Sequence, residues 1–283
     1  MNYKSELVGV LGYPVAENPT IVMQEAAFRE LGLNWRYLNL EVPPERLPDA
    51  IKGLRAMGFQ GFNLTIPHKV AVIPLLDEIA PDAALIGAVN TVRCVGERLI
   101  GENTDGKGFL RGVREEARVD PKGKRVVLLG AGGAARAIAV ELALAGVAEI
   151  TVYNRSQSRG SVMVSDLVAR TSVKATFHVW TDTYHTTPDI DILVNSTSIG
   201  LYPDVDAMPD VDLSDAHSSL LVCDVIPNPP QTPFMRAAKA RGLQTLTGLS
   251  MLVFQGVIGF EMWTGHKAPE AVMKAALEEA FEV

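Results

Sequence analysis

Short runs of β-branched and aliphatic residues alternate with amphipathic stretches along most of this chain. The runs predict strands over residues 7–11, 35–40, 61–66, 125–129, 149–153, 190–195 and 220–225. The amphipathic stretches predict helices over residues 20–31, 44–57, 251–263 and 269–281. Alternation of this kind is typical of an α/β fold, and its later strands have the uniformly apolar character of buried parallel strands.

A glycine-rich, weakly apolar segment from Gly101 to Gly112 interrupts the pattern, and a new strand follows Asp120-Pro121-Lys122-Gly123. A chain of 283 residues is long enough for two domains. We expect an N-terminal α/β domain with a mixed sheet over residues 1–105, completed by the helices in 246–283, and a Rossmann-type domain over 106–245.

Composition narrows the class of protein. The net charge is −7 and Lys and Arg form no run, which argues against nucleic acid as a partner. Neither a signal peptide nor an apolar run of about 18 residues is visible, so a cytoplasmic protein without membrane contact is expected. The spacing of Cys94 and Cys223 fits neither a metal site nor a redox pair, and no metal is expected.

A candidate phosphate-binding loop follows the strand at 125–129. Its residues are Gly130, Ala131, Gly132, Gly133 and Ala134, and an Ala-rich helix continues to Gly146. Glycines let the backbone approach a pyrophosphate, and the helix N-terminus offers N–H groups to it. The string alone is a weak signal, but its strand–loop–helix context is the one that dinucleotide binding requires. A purely structural turn is the alternative.

The end of the next strand bears on the choice of cofactor. An NAD site usually carries Asp or Glu there, whereas this chain has Asn154, Arg155, Ser156 and Arg159 and no acid before Asp166. Two guanidinium groups and a hydroxyl suit a 2′-phosphate, so NADP is the predicted cofactor. Two solvated arginines at a helix start are the alternative.

Two ionisable residues are candidates for the chemistry. Lys69 follows the strand at 61–66 just beyond Pro67, where an ammonium is able to transfer a proton or polarise a carbonyl. Asp105 lies in the glycine-rich segment. Taken alone, Lys69 has the simpler interpretation of a solvated surface residue, and Asp105 that of a turn or cap.

Several motifs, in order along nearly the whole chain, resemble those of shikimate dehydrogenases. They are the segments 63–69, 87–91, 101–106, 130–134, 154–159, 195–201 and 248–255. The resemblance implies reversible hydride transfer between 3-dehydroshikimate with NADPH and shikimate with NADP⁺, a step of the chorismate pathway. It also implies that Lys69 and Asp105 form a catalytic pair. By the same resemblance, Thr65, Asn90 and Gln255 would bind the substrate, and Thr197, Val225 and Gly248 would make further contacts with the cofactor.

The chain departs from the family where the substrate carboxylate is bound. Family members carry two serines at the positions of Asn18 and Thr20 in this chain. They carry a histidine at the position of Glu17 and a tyrosine at the position of Pro227. Asn18 and Thr20 are still expected to bind the carboxylate, because both keep a hydrogen-bond donor. A quinate or aminoshikimate-type dehydrogenase and a non-catalytic NADP-binding paralogue remain open alternatives, as do a monomer and a homodimer.

Overall fold

The computed structural model describes residues 3–282. One compact unit comprises the residues up to 104 together with those from 253 onward, and residues 105–252 form another. The elements up to residue 104 are β1 (Glu6–Gly12), α1 (Thr20–Glu30), β2 (Trp35–Glu41), α2 (Leu47–Ala56), β3 (Gly61–Leu64), α3 (His68–Ala71), β4 (Glu78–Ile79), α4 (Pro81–Ile86), β5 (Thr91–Val95) and β6 (Arg98–Glu102).

The remaining elements begin at Thr104. They are α5 (Thr104–Arg111), β7 (Arg125–Leu129), α6 (Gly133–Leu144), β8 (Glu149–Asn154), α7 (Gln157–Arg170), β9 (Lys174–Val179), β10 (Tyr184–His185), β11 (Ile192–Asn195), β12 (Val211–Asp212), β13 (Leu221–Asp224), α8 (Pro233–Ala240), β14 (Gln244–Leu246), α9 (Gly248–Thr264) and α10 (Glu270–Ala280).

The first unit is built on a mixed sheet in the order β2-β1-β3-β5-β6-β4. β1 pairs in parallel with β2 and β3, whereas β5 runs antiparallel to both β3 and β6. The C-terminal helices add an aromatic layer, in which Phe28 of α1 stacks on Phe260 of α9 with ring centroids 5.5 Å apart. The indole nitrogen of Trp263 donates to the carbonyl of Val92 at 2.9 Å, which fixes α9 to the sheet.

The second unit contains a parallel sheet in the order β14-β13-β11-β7-β8-β9. Its central strands β11 and β13 are fully buried, as expected for strands covered on both faces. The chain runs outward from β7 through β8 to β9 and then resumes on the other side of β7 at β11. The point where the strand order reverses, between β7 and β11, is where open α/β sheets bind their ligands.

The predicted α/β class, with one mixed and one parallel sheet, is confirmed. Residues 104–111 of the glycine-rich segment form the helix α5, which the sequence pattern did not predict. Gly106 carries no side chain that would collide with the backbone of α6 at Ala137, so α5 packs directly on α6. This tertiary contact outweighs the low helix propensity of glycine.

None of the helices within residues 3–282 is both long and apolar enough to cross a membrane. The same part of the chain has no cluster of His, Cys, Asp and Glu side chains arranged to hold a metal ion.

Candidate cofactor and substrate sites

The loop after β7 has the geometry of a phosphate-binding turn. Gly130 adopts φ +111°, a conformation that favours glycine, and its amide donates to the carbonyl of Tyr153 at 2.7 Å. A Cβ at Gly130 would lie 3.0 Å from the carbonyl oxygen of Ser196. Gly132 and Gly133 are exposed, and no side chain caps the N-terminus of α6. The first amides of α6 are thus accessible to an anion.

A cleft of about 420 Å³ lies beside this loop. Its lining combines the loop with the start of α7 and consists of Ala131, Gly132, Gly133, Arg136, Ser158, Arg159 and Val162. Arg136 is paired with Asp166 at 2.8 Å. In contrast, within residues 3–282 the guanidinium groups of Arg155 and Arg159 form neither an ion pair nor a hydrogen bond.

The turn that carries these arginines is held by local hydrogen bonds. Asn154 donates through Nδ2 to the carbonyl of Ser156 at 2.9 Å. Ser156 caps α7 and accepts from the amide of Arg159 at 3.5 Å. The turn therefore presents two exposed cations and a serine, of which Arg159 lines the cleft beside the phosphate-binding loop. Such a donor set fits the 2′-phosphate of NADP.

The loop after β11 is folded around its own side chains. Thr197 donates through Oγ1 to the Oδ1 of Asn195 at 2.6 Å, and its Oγ1 accepts from the amide of Ile199 at 3.1 Å. Ser196 donates through Oγ to the carbonyl of Leu129 at 2.7 Å. The predicted cofactor residue Thr197 thus lies on a loop that contacts both β7 and Gly130.

A buried carboxylate, Asp224, lies at the end of β13 and was not predicted as a functional residue. It accepts hydrogen bonds from Asn195, Ile226 and Thr232. Burial raises its pKa to about 6, and these hydrogen bonds oppose the shift. Close by, a Cβ at Gly248 would collide with Val225 and Ile226, so glycine is required for α9 to begin against this segment.

In the first unit, Lys69 lies on the single turn α3, directly after the buried His68. His68 contacts the carbonyl of Val42 through Nε2 at 2.7 Å, which anchors this turn. Lys69 is half-buried, and its carbonyl accepts from the amide of Val89 at 2.8 Å. Thr65 is half-buried, and its amide donates to the carbonyl of Leu11 at 2.9 Å. The predicted residues Thr65 and Lys69 therefore lie on one segment, which main-chain hydrogen bonds to β1 and to the residues before β5 hold in place.

Asn90 belongs to a buried polar network that crosses the sheet of the first unit. Its Nδ2 donates to the Oγ1 of Thr104 at 3.0 Å, and its Oδ1 accepts from the amide of Thr104 at 2.7 Å. Asn63 donates to the carbonyl of Asn90 at 3.1 Å and accepts from the hydroxyl of Tyr37 at 2.7 Å. Burial raises the pKa of Tyr37 well above its usual value, so the phenol stays protonated. The network fixes the start of α5, on which Asp105 is half-buried.

The substituted carboxylate positions are also occupied by internal hydrogen bonds. Asn18 accepts through Oδ1 from the amide of Thr20 at 3.0 Å. Thr20 is buried. Glu17 is exposed and has no partner within residues 3–282. The predicted substrate residue Gln255 is a buried residue of α9.

Two groups of polar residues were missed by the sequence analysis: the network of Tyr37, Asn63, Thr91 and Thr104, and the group around Asp224. Asn63, Asn195 and Asp224 are the polar residues of the otherwise apolar, fully buried strands β3, β11 and β13. That contrast is the signal that would have found them, because buried polar groups need partners.

A parallel sheet with a glycine-rich loop at its reversal point defines a dinucleotide-binding α/β protein. Three family models match the chain: the shikimate dehydrogenase substrate binding domain over residues 10–92, shikimate / quinate 5-dehydrogenase over 114–226, and the shikimate 5′-dehydrogenase C-terminal domain over 248–278. The chain belongs to the shikimate dehydrogenase family.

Among curated relatives, the shikimate dehydrogenase (NADP⁺) of Desulforamulus reducens is 43% identical over 281 residues, which cover 99% of this chain and 97% of that protein. The shikimate dehydrogenase (NADP⁺) of Methanopyrus kandleri is 44% identical over 279 residues, which cover 98% of this chain and 96% of that protein.

Solved structures give a second comparison. The ligand-free 5-ketofructose reductase of Gluconobacter sp. strain CHM43 is 49% identical, with a TM-score of 0.95 over 99% of this chain and 100% of that chain. A shikimate dehydrogenase in complex with NADP⁺ is 38% identical, with a TM-score of 0.91 over 99% and 97%. The Thermus thermophilus shikimate 5-dehydrogenase in complex with NADP(H) and shikimate is 36% identical, with a TM-score of 0.84 over 97% and 99%.

Proposed function

We propose that this chain is an NADP-dependent shikimate dehydrogenase, which interconverts 3-dehydroshikimate and shikimate. The observation that carries the proposal is its identity of 43–44% with shikimate dehydrogenases over essentially the full length of both chains. The family motifs that contain Lys69, Asn90 and Asp105 are also present. In this proposal residues 1–105 with 246–283 bind the substrate, and residues 106–245 bind NADP.

The cofactor is NADP(H), which accepts or supplies the hydride when it is bound. Gly130 to Ala134 would hold its pyrophosphate, because the open amides at the start of α6 complement negative charge. Asn154, Arg155, Ser156 and Arg159 would hold the 2′-phosphate. Thr197, Val225 and Gly248 would bind the remainder of the cofactor.

Lys69 and Asp105 are the proposed catalytic pair. The Lys69 ammonium would stabilise the negative charge that develops on the substrate oxygen when the carbinol hydrogen leaves as hydride. Asp105 would orient the ammonium and relay the hydroxyl proton. Thr65, Asn90 and Gln255 would bind the ring hydroxyls, and Asn18 and Thr20 the carboxylate.

A second candidate is the reduction of an uncharged polyhydroxylated ketone. Two observations favour it: the 49% identity with 5-ketofructose reductase, and the replacement of family residues at positions 17, 18, 20 and 227. The hydroxyl donor of the family tyrosine is missing at Pro227, and the unpaired Glu17 carboxylate repels an anion. A substrate without a carboxylate would not need the missing donors. The quinate and aminoshikimate alternatives have no comparable support.

Steady-state kinetics with purified protein test the proposal. Shikimate with NADP⁺, 3-dehydroshikimate with NADPH, and 5-ketofructose with NADPH are compared by kcat/KM. Turnover of shikimate with a kcat/KM above that of the neutral ketone supports the first candidate, and the reverse order supports the second. Absence of turnover with all three would contradict both. A cytoplasmic location, a place in the chorismate pathway and a monomeric or homodimeric state stay predictions.

A further inference from the structure

We propose that Asp224 is a positioning residue, whose buried carboxylate joins the loops after β11 and β13 and thereby sets the affinity for NADP(H). The proposal rests on the proposed function, since it requires NADP(H) to bind at the carboxyl ends of these strands. Asp224 itself would not touch the cofactor, because only 1% of its surface is exposed.

Both oxygens of the carboxylate are used. Oδ1 accepts from the Nδ2 of Asn195 at 3.2 Å and from the amide of Ile226 at 3.1 Å. Oδ2 accepts from the hydroxyl of Thr232 at 2.7 Å. One carboxylate thus binds a residue of β11, the segment after β13 and the residue that caps α8.

On the β11 side, Asn195 transmits this constraint to the loop beside Gly130. Its Oδ1 accepts from the amide of Thr197 at 3.2 Å, and its Nδ2 also donates to the carbonyl of Ile199 at 3.3 Å. Ser196, between these residues, is the one whose carbonyl approaches Gly130. A change in the Asn195 side chain would therefore alter the wall of the phosphate-binding turn.

On the β13 side, the carboxylate fixes two further elements. The amide of Ile226 binds Oδ1, and Ile226 lies against Gly248 at the start of α9. Thr232 accepts from the amide of Met235 at 3.3 Å as the cap of α8, so its hydroxyl is held between carboxylate and helix. The two loops and both helix starts converge at the carboxyl ends of β11 and β13.

The charge state of Asp224 matters because all of its partners are donors. The raised pKa, about 6, brings protonation close to neutral pH, with burial as the largest cause. The titratable neighbour is Cys223, whose own pKa is raised by burial and by Asp224, so it remains an uncharged thiol. A protonated carboxyl loses one acceptor site, and neither the Asn195 nor the Ile226 N–H is able to reverse its role.

The test compares wild type with Asp224→Asn, which imitates the protonated carboxyl at every pH. NADP⁺ binding to the full-length protein is measured by calorimetry at pH values from 5 to 8. At pH 7.5 we expect Asp224→Asn to bind about tenfold more weakly or worse, since a charge-assisted hydrogen bond is lost. Wild type should approach the affinity of the variant as the pH falls to 5. The 2′-phosphate of NADP⁺ also titrates near pH 6. The ratio of the variant to the wild-type dissociation constant is therefore compared at each pH, because the phosphate affects both proteins alike.

Asp191→Asn is the matched control. Asp191 directly precedes β11 and therefore lies at the opposite end of this strand from Asn195. Its carboxylate accepts from the ammonium of Lys124 and from the amide of Arg125. Its variant should keep the wild-type pH profile of NADP⁺ binding. If Asp224→Asn does not fold, Thr232→Val removes one donor to the same carboxylate and Thr232→Ser keeps it. Only Thr232→Val should then weaken NADP⁺ binding.

The outcomes separate this inference from the proposed function. A folded Asp224→Asn protein with the wild-type affinity and pH profile for NADP⁺ would overturn the positioning role alone. Equal affinities of Thr232→Val and Thr232→Ser would do the same. A wild-type protein that binds no NADP⁺ at any pH would overturn the proposed function, and this inference with it.

Discussion

The amide of Thr20 donates a hydrogen bond of 3.0 Å to the side-chain oxygen of Asn18. The bond closes a turn at the start of α1 and uses the oxygen of Asn18. Thr20 itself is buried, with 5% of its surface exposed. The segment where family members bind the substrate carboxylate is thus stabilised from within.

The first prediction concerns this segment. The variant Asn18→Ser with Thr20→Ser and Pro227→Tyr restores the family residues and should lower KM for shikimate at least about tenfold, because even one regained hydrogen bond to a charged group contributes about 1.5–3 kcal/mol. kcat should change less, because the carboxylate is remote from the hydride. 5-Ketofructose has no carboxylate and serves as the control substrate, for which no gain is expected. An unchanged KM for shikimate would show that these positions do not form the carboxylate site.

The second prediction concerns cofactor choice. Replacing Arg155 and Arg159 together with Ala should weaken NADP⁺ binding by about a hundredfold or more, because the 2′-phosphate loses two charge-assisted contacts. NAD⁺ has no such phosphate, so its affinity should hardly change. Calorimetric titration with both cofactors measures this. Arg170→Ala, an exposed arginine at the far end of the same helix, is the control. Equal losses for NADP⁺ and NAD⁺ would contradict the assignment.

The third prediction concerns catalysis. Lys69→Ala should lower kcat by about a hundredfold or more, while the dissociation constant of NADP⁺ stays close to that of wild type. Asp105→Asn should behave in the same way. Steady-state rates and cofactor titrations are the measurements, and Lys52→Ala, an exposed lysine of the first unit, is the control. A rise in KM without a fall in kcat would make Lys69 a binding residue.

The fourth prediction links Asp224 to stability. Its pKa is raised in the folded state to about 6 from 3.8, so folding favours the protonated carboxyl. Its contribution to the free energy of unfolding is complete below about pH 4 and is lost as the pH rises through about 6. The shift corresponds to about 3 kcal/mol. Relative to Asp224→Asn, wild type should lose stability by up to this amount between pH 4 and 7.

Urea unfolding of both proteins across this pH range measures the difference. The comparison cancels the carboxylates that the two proteins share, among them Asp189, whose pKa hydrogen bonding lowers. Parallel stability curves for wild type and Asp224→Asn would contradict the raised pKa. The affinity of wild type for NADP⁺, relative to Asp224→Asn, should instead rise with pH over this range. The reason is that the ionised carboxylate orders the loops, although it costs more free energy to bury than the protonated form.

The sequence by itself determined the α/β class, because strand and helix periodicities depend on local residue patterns. The strands at 35–40, 125–129, 149–153 and 220–225 were predicted close to their observed bounds for the same reason. The order in which Gly130 follows a strand and precedes a helix likewise predicted a phosphate-binding loop, and the structure has a glycine turn between β7 and α6. Short or edge strands such as β4, β9 and β14 were missed, since their sequences lack a sustained apolar pattern.

Only the tertiary structure decided the rest. The contact of Gly106 with α6 turns a glycine-rich segment into a helix, and no local signal encodes that partner. Asn195 and Asp224 are 29 residues apart, and Asn63 and Asn90 are 27 apart, so their pairing follows from strand order. Hydrogen bonds between distant residues form only where folding brings the strand ends together in an interior from which water is excluded. The sequence therefore predicted which types of residue form the candidate sites, and only the fold determined which residues hydrogen-bond to one another there.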